Sequence, residues 1–129
     1  MSAVFRSRRR ELSIALITIV LGYLVLHVAS ELNASYQESR WKDEVAADLK
    51  LGARIQNVQS YLNQRHIGYE TSAFDDLVIS SETDGPFDPQ MLVCHITPKS
   101  VFPVRLDTYF AFKQGKLAAR AIRRKQYGL

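Results

Sequence analysis

The chain has 129 residues, enough for one domain of ordinary size plus one appendage. Its composition, 47% hydrophobic and 23% charged, is that of a globular chain rather than a disordered one. One cysteine excludes an intrachain disulfide and a cysteine-based zinc cluster, and the net charge is +4.

Leu12 to Ala29 contains no Asp, Glu, Lys or Arg, and eleven of its 18 residues are Leu, Ile or Val. As a helix this run is roughly 27 Å long at about 1.5 Å per residue, close to one hydrocarbon core. A core helix of a small soluble domain is rarely apolar all round. A cleaved signal peptide would use Val28-Ala29-Ser30, but its apolar region is usually shorter than this run. The reading adopted is an uncleaved signal anchor. Arg6, Arg8, Arg9 and Arg10 precede the run and only Glu11 offsets them, whereas Glu31 follows it. The positive-inside rule then places the N-terminus in the cytoplasm and residues 31–129 outside it. The expected location is the inner (plasma) membrane, with the outer portion periplasmic in a two-membrane cell.

The expected organisation is a basic cytoplasmic segment at 1–11, a transmembrane helix at 12–30, a stalk helix at 31–50 and a small extracytoplasmic domain at 51–129. Asn33 or Ser35 is the expected N-cap of the stalk. Trp41, Val45 and Leu49 form its apolar stripe at spacing four. Gly52 breaks the pattern, and Leu51, Ile55, Val58 and Leu62 resume it in a second helix ending near Arg65, with Gly68 as stop signal. From Tyr69 the period changes to two. Leu77–Ile79 reads as a short strand and 81–90 as a turn-rich loop. Met91–Thr97 reads as a second strand, and Val104–Phe112 as a third with Leu106, Phe110 and Phe112 on one face. Lys113-Gln114-Gly115-Lys116 is a hairpin turn. Leu117–Arg123 is a fourth strand, or the start of a helix given Ala118, Ala119 and Ala121. The expected fold class is α+β: a single transmembrane helix, then one or two amphipathic helices packed on a three- or four-stranded antiparallel sheet.

Charge is segregated along the outer portion. Residues 66–98 carry six acidic side chains and no Lys or Arg, and residues 99–129 carry eight basic ones against Asp107 alone. Lys116, Arg120, Arg123, Arg124 and Lys125 are the candidate interaction surface, for lipid headgroups or an acidic partner. The competing reading is a solvated terminus that neutralises the acidic segment.

Candidate chemistry is sparse. Cys94 and His95 are strand neighbours and point to opposite faces, so they cannot chelate one metal together. Cys94 shares a face with Leu92 and Ile96 and is expected in the core. His27 lies in the apolar run and His66 at a helix end, so neither makes a clear dyad with the thiol. Asp75, Asp76, Glu82, Asp84 and Asp88 do not match a calcium-loop spacing. No phosphate-loop, dinucleotide, nucleophile-elbow or zinc-protease motif is present, so no cofactor or catalytic residue is expected. Nucleic acid is excluded as a partner by topology and by the lack of any recognition signature.

Leu51-Gly52 with Ile55, Val58 and Leu62, followed by the hairpin Phe110-Ala-Phe-Lys-Gln-Gly-Lys-Leu117, resembles the SmpA/BamE-like small envelope domains over about residues 51–123. That resemblance implies helices joined to an antiparallel sheet and an assembly or scaffolding role in the bacterial envelope. The chain departs from the family in carrying an apolar anchor where a lipid-modified cysteine is expected, and in lacking a Gly-Pro step after the helix. The resulting expectation is a non-enzymatic interaction or assembly protein, with the bilayer and another envelope protein as partners. The alternative is a small membrane-anchored hydrolase or ligand-binding sensor using Asp and His residues.

Overall fold

A computed structural model describes residues 2–79 and 86–126. Two helices, α1 (Ser2–Asp48) and α2 (Ile55–Gln64), precede four strands, β1 (Tyr69–Ala73), β2 (Gln90–Ile96), β3 (Val104–Lys113) and β4 (Lys116–Gln126). The strands form one antiparallel sheet in the order β1-β2-β3-β4, with both helices on one face. The α+β class is as expected.

The apolar run and the expected stalk are one helix. No glycine or proline occurs between Tyr23 and Lys50, so nothing interrupts the backbone ladder. Asn33 and Ser35 are therefore interior residues rather than caps. Their side chains serve tertiary contacts instead: Asn33 Nδ2 donates to the Phe102 carbonyl at 3.2 Å, and Ser35 Oγ accepts from Arg124 at 2.8 Å. Within α1 lies one stretch long and apolar enough to cross a membrane, and none of it is buried in the domain. The C-terminal half of the same helix supplies Ala34, Trp41, Val45 and Leu49 to the core.

The link from α1 to α2 turns at Gly52, whose φ of +94° favours glycine. Leu51 is exposed there, rather than part of the apolar stripe, because the link is tied to the start of β4. The Gly52 N–H donates to the Leu117 carbonyl and the Leu117 N–H to the Ala53 carbonyl, both at 2.7 Å. Arg54 offers α2 no side-chain cap, and the Ile55 N–H instead donates to the Gly115 carbonyl at 3.0 Å. The far end of α2 closes before Gly68. The Ile67 N–H reaches the Leu62 carbonyl at 2.9 Å and the His66 N–H the Asn63 carbonyl at 3.1 Å, a Schellman arrangement with His66 at φ +57°.

Leu77–Ile79 is a turn, and the first strand is β1. The cause is Asp75. Its Oδ1 accepts from the Leu77 N–H at 2.9 Å, and its carbonyl from the Val78 and Ile79 N–H groups at 3.2 Å. This local alternative outcompetes a ladder. The acidic residues Glu82 and Asp84, with the first half of the 81–90 loop, lie outside the described residues.

The β3–β4 hairpin has Gln114 at φ +52° and Gly115 at φ +75°, the two-residue primed turn that suits strand twist. Asp88 holds it: one carboxylate oxygen accepts from the Gln114 N–H and the other from the Gly115 N–H, each at 2.9 Å. Residues 117–126 are a strand despite their alanines, because the hairpin register pairs them with β3. The register shifts between Ala111 and Phe112, leaving Ala118 as the extra residue of a bulge.

Leu92, Cys94, Leu106, Phe110, Phe112 and Leu117 face the helices and pack with Trp41, Val45, Val58 and Leu62. The opposite face of the sheet is partly covered by the chain between β1 and β2. There Ile79, Phe74 and Phe87 pack on Met91, Val93 and Ala111. Phe74 and Phe87 stack at 4.8 Å, and Lys113 lies over Phe87.

Candidate interaction surface

Strand alternation and the bulge divide the basic cluster between two faces. Arg120 and Arg124 pair across the sheet with Phe110 and Leu106, and so they face α1. Arg120 donates to the Leu49 carbonyl at 2.6 Å, just past the end of the helix. There a cation satisfies an unpaired carbonyl and complements the helix dipole. Arg124 lies between two carboxylates two helical turns apart, Glu31 at 3.5 Å and Glu38 at 3.7 Å, and also donates to Ser35. Together they clamp α1 onto β4. Arg123 is on the opposite face and donates to the Leu77 carbonyl at 2.5 Å, pinning the segment after β1. Lys116 and Lys125 are exposed near opposite ends of β4. Arg6, Arg8, Arg9 and Arg10 are exposed along the first turns of α1.

An open groove of about 600 Å³ runs between α1 and β4, lined by Ser35, Glu38, Ser39, Lys42 and Ile122 with Arg123 and Arg124 at its rim. It carries both signs of charge. Near the end of α2, Arg65 pairs with Glu44 and Asp48 and lies over the Tyr61 ring, joining the two helices. Burial, and then the hydrogen bond to Asp48, push the Tyr61 phenol up to about 12.

Sequence reasoning missed the polar cluster on the outer sheet face. His95 and Asp107 are directly opposite on β2 and β3. His95 Nδ1 meets Asp107 Oδ1 at 2.5 Å, Arg105 Nη2 donates to Asp107 Oδ2 at 3.1 Å, and Arg105 Nε lies 2.9 Å from Oδ1 as an ion pair. Nε2 of His95 lies 3.7 Å from Glu70, across the sheet on β1. Burial alone would raise the Asp107 carboxyl. Hydrogen bonds from His95 and Arg105, with their charges, outweigh it and hold the group below the usual carboxylate range. The signal in the sequence was parity, which puts both His95 and Asp107 on the face away from the helices.

Cys94 is in the core as expected, 0% exposed, on the opposite face from His95. Burial, only partly offset by a contact with Thr108, pushes its thiol up to about 11. A thiol in this state is a poor nucleophile. Cys94→Ala should cost about 1–2 kcal/mol in chemical denaturation. Maleimide labelling of the native parent should be far slower than of the denatured chain.

No family model, no curated protein and no solved structure matches this chain.

Proposed function

We propose that the chain is a single-pass membrane protein whose extracytoplasmic domain, without catalysis of its own, binds another envelope protein during assembly or scaffolding. One observation carries this reading. The helix that exposes Leu12 to Val28 to its surroundings also supplies Trp41, Val45 and Leu49 to the domain core. Exposed leucines, isoleucines and valines on every side of a helix need an apolar solvent. A helix continuous with the core holds the domain rigidly at the membrane surface, which suits a positioned docking module. The surface available to a partner includes the β1 edge and the part of the β4 edge beyond Leu117, whose start pairs with the link between the helices. On β1, Glu70 to Ala73 are exposed, and on β4 Lys116, Arg123 and Lys125 are exposed. An open edge invites strand addition, and a basic edge favours an acidic strand or loop. This role accords with the likeness to SmpA/BamE-like domains.

The hydrolase or sensor reading would draw on His95 and Asp107. Their geometry disfavours it, since the free ring nitrogen of His95 faces the Glu70 carboxylate rather than a hydroxyl or thiol.

Topology is tested with single cysteines in intact cells. A membrane-impermeant maleimide should label Lys116→Cys before lysis and Arg8→Cys only afterwards, and the chain should resist alkaline carbonate. Extraction by carbonate, or a mature chain starting near Glu31, would defeat the anchor. The partner surface is tested by crosslinking in membranes. Lys116, Arg123 and Lys125 replaced together by Gln should lose a salt-sensitive crosslink, since exposed charges act over about 8 Å at physiological ionic strength.

A further inference from the structure

We propose that the β2–β3 loop, with Val101 at its tip, rests in the headgroup layer of the bilayer that residues 12–29 cross. This rests on the membrane-anchored reading above. The loop descends along α1. Its beginning, Ile96, Pro98 and Lys99, shares a groove with Gln37, Arg40, Trp41 and Glu44. Its end meets the helix lower down, where the Phe102 carbonyl accepts from Asn33 at 3.2 Å. Asn33 is four residues beyond Ala29, a rise of about 6 Å. The headgroup layer on each side of the hydrocarbon is about 5–8 Å thick. The Phe102 carbonyl therefore lies at headgroup depth.

The side chains at this level suit that position. Val101 is 90% exposed, Leu32 67% and Tyr36 60%. Leu32 and Tyr36 continue the exposed stripe of Val25 and Val28 past the end of the uncharged run, at helical spacing. A tyrosine just beyond a span is placed where an amphipathic ring is favoured. Lys99, also exposed, adds a cation on the same loop. The loop is held in shape by Pro98 and Pro103 at its flanks and by the Ser100 hydroxyl, which accepts from the Phe102 N–H at 3.3 Å. A second, stiff attachment beside the helix fixes the rotation and tilt of the domain on the membrane, and so fixes which sheet edge points outward.

The test uses the full chain in nanodiscs of phosphatidylcholine and phosphatidylglycerol. Nitroxides are placed at Val101→Cys, at Asn57→Cys on the exposed side of α2, and at Val20→Cys in the span. Buried Cys94 in the parent chain serves as the labelling control. The ratio of oxygen to nickel-chelate collision rates reports depth. The expected ratio at Val101 is several-fold above that at Asn57 and below that at Val20. A ratio at Val101 equal to that at Asn57, with Val20 deep, overturns the inference and leaves the anchor standing. An aqueous ratio at Val20 removes the anchor and the inference with it.

Discussion

Trp41→Ala should destabilise the α+β domain by about 3–5 kcal/mol, the range for truncating a buried large aromatic. Total stability of a domain this size is about 5–15 kcal/mol, so the variant should be near collapse. Trp41 is the largest side chain α1 contributes to the core, and it is 6% exposed. Its indole Nε1 donates to Thr108 Oγ1 at 2.9 Å, across the interface between helix and sheet. Thr108 is fully buried and also contacts Cys94, so the hydroxyl has no access to water once the indole is gone. Trp41→Phe keeps most of the apolar area and removes the donor, and should cost about 1–3 kcal/mol. Adding Thr108→Val to Trp41→Phe should recover part of that, since no orphaned hydroxyl remains. Denaturant titration of the full chain in detergent, followed by far-UV circular dichroism, measures all three. The helical signal of residues 12–29 should persist when the domain unfolds. Equal losses for the Phe and Ala variants would mean that the hydrogen bond, not the packing, docks the helix.

Asp107→Ala should cost roughly 2–4 kcal/mol at neutral pH, because it removes charge-assisted bonds to both His95 and Arg105. The same residue predicts an acid limb. Its folded-state carboxyl is depressed relative to an ordinary aspartate. A depressed carboxyl contributes stability that is fully present above the unfolded value, about 3.9, and is lost as pH falls through the lower folded value. The denaturation midpoint of the parent should therefore fall as pH drops below about 4. The Asp107→Asn variant should be less stable at pH 7 and lose less on the way down. If parent and variant fall in parallel, the acid limb does not come from Asp107.

Those two residues show what was legible. Trp41 stood in a stripe with Val45 and Leu49 at spacing four, and helical geometry alone turns that spacing into one face. The apolar run and its arginine flank were equally local signals. So was the parity of Leu106, Phe110 and Phe112, which all reached the core. Asp107 was different. Parity placed it on the outer face, but only the β2–β3 register set His95 opposite it.

The basic cluster makes the same distinction. Its charge was plain in the sequence, yet five cations in a row of eleven residues looked like one surface. Alternation sent Arg120 and Arg124 inward to α1 and Arg123 outward to Leu77, and the bulge at Ala118 set the phase of all three relative to Leu117. Asp88 looked like a turn residue and is one, but the turn it holds lies 26 positions away at Gln114. Near-neighbour periodicity carried the apolar helix, the α+β class, the core faces and the hairpin, and all of these could be read along the chain. The pairing of residues far apart in the chain emerges only in the folded domain. Each polar side chain has several partners of compatible chemistry, and register and packing select among them.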